Sequence, residues 1–299
     1  MNILFVCALI AVNPAVGSTA FDFLRISPTA REVALGSFNP AGSTGAFAFY
    51  YNPAQILNLS TPEGQFSYVN YPAGINAGSA AYAQHLSERQ GIGAGLYYLN
   101  SGTMKRTNEQ GEELGTFGAS YADLSLAGAV RITDPLIIGL SIAGLYGNID
   151  TFFSLGVIAS AGAVYSFSAY HLQFGFTARH LGLQVKPFGD YRDPLPAEFA
   201  LGAGWQPVPP LFLGLGVIKP LDDRFRFSFG LEGWVSRYLV LRGGYNSQGA
   251  DWSDTSAGGL IAGFTAGLGI HYDRYQIDYA FVPMGRLGFS HRLSFGFSL

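Results

Sequence analysis

The sequence predicts a transmembrane β-barrel of about 14 antiparallel strands, preceded by a segment that does not belong to the wall. Three observations carry this. First, only 12% of the 299 residues are charged while 48% are hydrophobic, against roughly 25% charged in an ordinary soluble domain. Yet no uninterrupted run of about 18 apolar residues follows the N-terminus, which argues against a helical membrane protein. A closed barrel is the other way to satisfy backbone polar groups in lipid. Second, the chain alternates with a period of two from Gly64 to its end. Third, its connections are short and long in turn. The 40 glycines and 15% aromatics fit the same class, glycine at bends and aromatics in interfacial girdles.

Residues 1–20 read as a secretory signal. Ile3 to Val12 form a short apolar stretch, and Ala15-Val16-Gly17 or Ser18-Thr19-Ala20 offers a small-residue cleavage site. The only cysteine, Cys7, would leave with it. A thiol-free mature chain suits an oxidising envelope. Residues 21–63 do not alternate. Helix-compatible Arg31-Glu32-Val33-Ala34-Leu35-Gly36 and the break at Tyr51-Asn52-Pro53-Ala54 suggest a compact plug or hatch in the lumen or across its mouth.

The barrel is expected over residues 64–299. The last strand is the clearest: Phe289, His291, Leu293, Phe295 and Phe297 share one face, and Ser290, Arg292, Ser294 and Gly296 the other. Fourteen such runs fall near 65–71, 76–86, 91–101, 121–132, 136–149, 153–167, 171–185, 197–207, 211–219, 225–235, 238–246, 260–272, 275–283 and 289–299. Most have the roughly 9–11 residues of a tilted spanning strand. With the N-terminus placed in the periplasm, all periplasmic turns are short. The three longest connections, about 102–120, 186–196 and 247–259, then all face outward, an asymmetry expected of outer-membrane barrels.

Lipid excludes charge, so charges on the wall are expected to face the lumen. A luminal network of Arg31, Asn52, Glu232, Arg242, Asp278 and Arg292 is anticipated, with Arg131, Arg226 and His271 also inward. The dense charge of Met104–Glu113 marks an external loop, and Lys105, Arg106, Glu112 and Glu113 are its candidate partner contacts. Catalysis is not expected. Neither G-x-S-x-G nor H-E-x-x-H occurs, and the five histidines lack metal-ligand spacing. Gly91-Ile92-Gly93-Ala94-Gly95 lies in a strand with no helix after it. No cofactor is implied. A net charge of −3 without a basic run gives no case for nucleic acid.

The run Phe23-Leu24, Ala30-Arg31, Ala34-Leu35-Gly36 and Tyr51-Asn52-Pro53-Ala54 resembles the opening of the PorV/PorQ family of outer-membrane proteins, which are similar to FadL-type barrels. Ile277-Asp278-Tyr279-Ala280-Phe281-Val282-Pro283 and Leu287–Leu293 resemble that family's ending, and Leu241–Asn246 its late-strand pattern. Tyr68–Ile75 and Asp193-Pro194-Leu195-Pro196 tilt the likeness toward the PorQ branch. One departure is the terminal Leu299, where such barrels often end in Phe. The resemblance implies a non-catalytic scaffold of the type IX secretion attachment complex, holding a PorZ-like surface protein beside PorV and a sortase-like subunit. The alternative is a FadL-like transporter of hydrophobic molecules.

Overall fold

The computed structural model describes residues 18–37, 40–253 and 257–299. Most of the expected signal segment, residues 1–17, lies outside the described residues. Among the described residues sixteen strands form: β1 (Glu63–Asn70), β2 (Asn76–Ser87), β3 (Gln90–Asn100), β4 (Met104–Thr107), β5 (Glu113–Phe117), β6 (Ala119–Thr133), β7 (Leu136–Ile149), β8 (Phe152–Phe167), β9 (Leu172–Lys186), β10 (Glu198–Val208), β11 (Leu211–Pro220), β12 (Arg226–Trp234), β13 (Leu239–Asn246), β14 (Phe264–Tyr272), β15 (Tyr275–Pro283) and β16 (Phe289–Ser298).

Fourteen of these close into one antiparallel barrel, each paired with its neighbour in sequence order; β4 and β5 form a separate hairpin between β3 and β6. The ring shuts where β1 meets β16, from Glu63 opposite Ser298 to Asn70 opposite His291. Closure leaves no unpaired edge. The alternation read from the sequence becomes inside and outside. On β16, Ser290, Arg292 and Ser294 are buried while Phe289, Leu293 and Phe295 are exposed. Leu124, Leu126, Leu140, Ile142, Val157, Leu201, Leu215, Phe227 and Leu268 are exposed in the same way. So continuous an apolar belt fits acyl chains and not water. Tyr165, Phe167, Trp205, Tyr272 and Tyr275 rim the end with short turns, and Tyr68, Tyr98, Tyr146 and Phe289 the end with long loops. These are the positions of two aromatic girdles.

One strand starts later than the sequence suggested. The run near 260–272 becomes strand only at Phe264, because Ala257–Leu260 form a short helix. Leu260-Ile261-Ala262 is apolar without alternating, and Gly263, at φ 91°, turns the chain into β14.

The core of the molecule is the lumen. Residues before β1 run inside it as four short helical turns: Asp22–Arg25, Ala30–Ala34, Ala48–Tyr51 and Pro53–Asn58. Phe21, Phe23, Leu24, Phe47, Tyr50 and Tyr51 pack against Val69, Tyr97, Leu145, Ile158 and Ile218 of the wall. Phe49, Ala54, Ile56 and Leu57 meet Ala127, Ala129, Ile137 and Val164. Glycines let the wall and the inner segment touch. A Cβ at Gly162 would stand 2.0 Å from Asn52 Oδ1, and one at Gly244 would stand 2.3 Å from Gly36 N. Asn52 is extended, as a residue before proline prefers. Its side chain caps the Pro53–Asn58 turn by accepting from Ala54 N at 3.0 Å.

Candidate functional site

Two features inside the barrel bring chemistry-bearing side chains together. The first is a buried chain of charge between the inner segment and the wall. Register sets Glu232 on β12 opposite Arg242 on β13, and Gly269 on β14 opposite Asp278 on β15. Arg242 donates from Nε to Glu232 at 2.6 Å and from Nη1 to Asp278 at 2.5 Å. From the inner segment, Arg31 donates to both carboxylate oxygens of Glu232, at 2.9 and 3.2 Å. Its Nη1 reaches Glu32 at 2.8 Å and the Gly42 carbonyl at 3.0 Å. His271 Nε2 lies 3.3 Å from Asp278. Basic and acidic groups therefore alternate from the inner segment across four wall strands, β12 to β15.

On the inner segment, burial pushes the Glu32 carboxyl above its ordinary value, against the pull of Arg31. Burial likewise raises the Tyr51 hydroxyl to about 12, outweighing its hydrogen bonds with Ser27 and Thr29. Both groups belong to a dry interior.

The second feature is a cavity of 300 Å³ beneath the long 247–263 connection. It is lined by Ile26, Tyr71, Trp252, Val282 and Met284 on its apolar side and by Arg25, Arg226 and Arg292 on its polar side. A second, more open cavity of 580 Å³ lies at the short-turn end, walled by Arg31, Glu232, Arg131, Gln173, Gln206 and Phe212 among others. The inner segment separates the two.

Of the anticipated luminal residues, Arg31, Glu232, Arg242 and Asp278 form the charge chain. Asn52 sits on another wall, donating to Pro40 O at 2.7 Å and Ala163 O at 3.2 Å. Arg292 faces the first cavity and does not join the chain. Arg226 pairs with Asp223 instead, and Arg131 donates to Asp134 O near the short-turn mouth. Three luminal contacts escaped the sequence reading: Arg25 with Asp222, Arg179 with Glu198, and Asp123 with Ser125. Arg179 was hidden by a bulge. The pairing of β8 with β9 slips between Ala159 and Ala161, and His180 takes a φ of 58°, so Arg179 and His180 both face inward. A signal was present. The outward apolar residues change parity, from Phe174 and Phe176 to Leu181, Leu183 and Val185, as one extra residue requires.

The charged loop is itself ordered as the β4–β5 hairpin. Lys105 pairs with Glu113, and Arg106 reaches across to Asp150 in the β7–β8 turn. Glu112 accepts from Asn108 Nδ2 at 2.7 Å, and Asn108 Oδ1 accepts from the backbone of Gln110 and Glu112. Asn108 thus builds the turn, while Gln110 is exposed and free of that task. In a chain processed after residue 20, Gln110→Cys supplies the only thiol. An impermeant thiol reagent is expected to label it on intact cells. Labelling only after the outer membrane is breached would reverse the orientation of the barrel.

No family model matches this chain, and no curated protein does. Solved structures do resemble it. The toluene transporter TbuX of Ralstonia pickettii aligns at a TM-score of 0.67 with 12% identity, over 94% of this chain and 100% of that one. The toluene transporter TodX of Pseudomonas putida gives 0.63 and 13%, over 90% and 96%. A FadL homologue of Pseudomonas aeruginosa gives 0.59 and 12%, over 91% and 98%. Two of these neighbours are toluene transporters and the third is a FadL homologue. The fold is theirs: a FadL-like barrel of the bacterial outer membrane, with the apolar belt that such a membrane demands.

Proposed function

We propose that the protein is an outer-membrane channel that admits small hydrophobic molecules at its long-loop end, with residues 21–63 as the hatch. The observation that carries this reading is the 300 Å³ cavity, which Ile26, Trp252, Val282 and Met284 line between the inner segment and the wall. Such a chamber, with an apolar side faced by convergent polar and charged groups, is a concave space of the kind that binds small molecules. The toluene transporters of like fold support the reading, as does the hatch position of the inner segment, which any passing molecule must displace. The test is uptake. Cells that carry the barrel in an otherwise impermeable outer membrane are expected to take up radiolabelled toluene faster than cells without it. Equal uptake, with the barrel folded and inserted, would overturn the proposal.

A second reading has its own support. The charge chain fastens the hatch to the wall through Arg31 and Glu232, which suits a closed scaffold. The sequence resemblance to the PorV/PorQ family would make that scaffold the anchor of a PorZ-like protein in the type IX secretion attachment complex. Co-purification of such a surface protein from outer membranes, together with unchanged toluene uptake, would favour it over the channel.

A further inference from the structure

We propose that the 300 Å³ cavity takes an organic anion: a single carboxylate carried on a compact apolar body and seated on Arg292. The inference rests on the reading of this cavity as the site of an admitted molecule, and it narrows what that molecule is. Three arginines line the cavity. Two are neutralised, Arg25 by Asp222 and Arg226 by Asp223. Arg292 is not. It is only 5% exposed, and its protein partners are neutral: Nε donates to Ser27 O and Nη1 to Ser290 Oγ, each at 3.0 Å. Its guanidinium carbon stands 5.8 Å from the centre of the Tyr71 ring. Among the described residues no carboxylate forms an ion pair with it, and its Nη2 makes no hydrogen bond.

A buried guanidinium without a counter-charge is costly, and proteins avoid it unless something pairs with it. The planar fork of arginine matches a carboxylate, and a charge-assisted bond there is about twice as strong as a neutral one. The rest of the wall then fixes the other end of the molecule. Trp252, Ile26, Val282 and Met284 offer apolar contact, and the one carboxylate in the lining, Asp22, pairs with Arg25 at 3.4 Å. A cavity of about 150 Å³ holds benzene, so this one, at 300 Å³, suits a body of roughly one or two rings. A neutral hydrocarbon of that size would fill the space but leave Arg292 unpaired and drier than before. The chamber is therefore matched to an amphipathic anion more closely than to toluene.

Purified barrel in detergent micelles, carrying Trp205→Phe and Trp234→Phe so that Trp252 is the only indole, is titrated with 2-naphthoate, 2-naphthamide and naphthalene. Binding is read from Trp252 emission. Naphthoate is expected to bind saturably and about tenfold to a hundredfold more tightly than naphthamide, the ratio a charged hydrogen-bond partner supplies. Arg292→Gln should erase that preference, bringing naphthoate to the affinity of naphthamide on the same variant, and Arg292→Lys should retain part of it. Should Arg292→Gln fail to fold, the ligand comparison on the otherwise unaltered barrel still decides. Equal affinity for all three compounds overturns the anion and leaves the hydrophobic channel standing. Binding of none of them overturns both.

Discussion

Replacing Glu232 with leucine is expected to cost the folded barrel about 3–5 kcal/mol, the range for breaking a buried ion pair from one side. Glu232 accepts from two guanidiniums at once, Arg31 of the hatch and Arg242 of the wall. Leucine removes the negative charge between them and leaves two largely buried positive groups facing each other at the edge of the short-turn cavity. Arg242 keeps Asp278, and Arg31 keeps Glu32, but the tie between hatch and wall is lost. Urea unfolding of the barrel in lipid vesicles measures the loss. The double variant Arg31→Leu with Glu232→Leu should be less destabilised than the sum of its parts, because it removes a charge along with its partner. A loss for Glu232→Leu below about 1 kcal/mol, the size of an exposed pair, would mean that water screens the lumen and that the chain of charge does not hold the hatch.

The second large effect lies on the opposite face. Ile142, near the middle of β7, is exposed in a way that makes sense only in lipid. Ile142→Arg is expected to reduce insertion stability by about 2–4 kcal/mol if it sits at the midplane, and Phe152→Arg, at the rim of β8, by about 0–1 kcal/mol. Folding yield in vesicles, scored by resistance to unfolding on unheated gels, reports the difference. Equal costs at both depths would contradict the belt. From sequence, Ser294→Arg is expected to be milder than Leu293→Arg, because Ser294 alternates with Leu293 and faces the lumen. The structure adds a cost of another kind. Ser294 Oγ accepts from Ala30 N at 2.9 Å and shares a 2.8 Å bond with Ser67, so an arginine would displace the hatch.

The wall was legible because lipid imposes a strict rule. Apolar side chains must point out at every second residue, and the rule runs through strand after strand. It fails where the rule relaxes: at Leu260–Ala262, which are apolar but belong to a loop, and at Arg179-His180, where a bulge changes parity. Inward charges were legible for the same reason, and the pairing of Glu232 with Arg242 follows once the strands are in register. The arrival of Arg31 was not, because the inner segment has neither period and its path depends on close contact with wall glycines. Arg292 could be placed on the luminal face from alternation alone. That it lacks a counter-charge appears only when the other acids have been assigned to their partners.

The position of the first segment also constrains how the molecule assembles. The bond from Ala30 to Ser294 joins residues 264 apart in sequence, and the bond between Ser67 and Ser294 joins residues 227 apart. Contacts of such separation form late, after the cost of closing a very long loop has been met. The strand that shuts the ring is the same one that presents Ser294 and Arg292 to the hatch. Hatch docking and ring closure are thus coupled events. A sheet in which β16 had not yet paired with β1 would leave its inner face, lined with small residues and with Glu232 short of its Arg31 partner, open to water. The N-terminal segment can cover that face during the interval, acting as the surface against which the sheet curls.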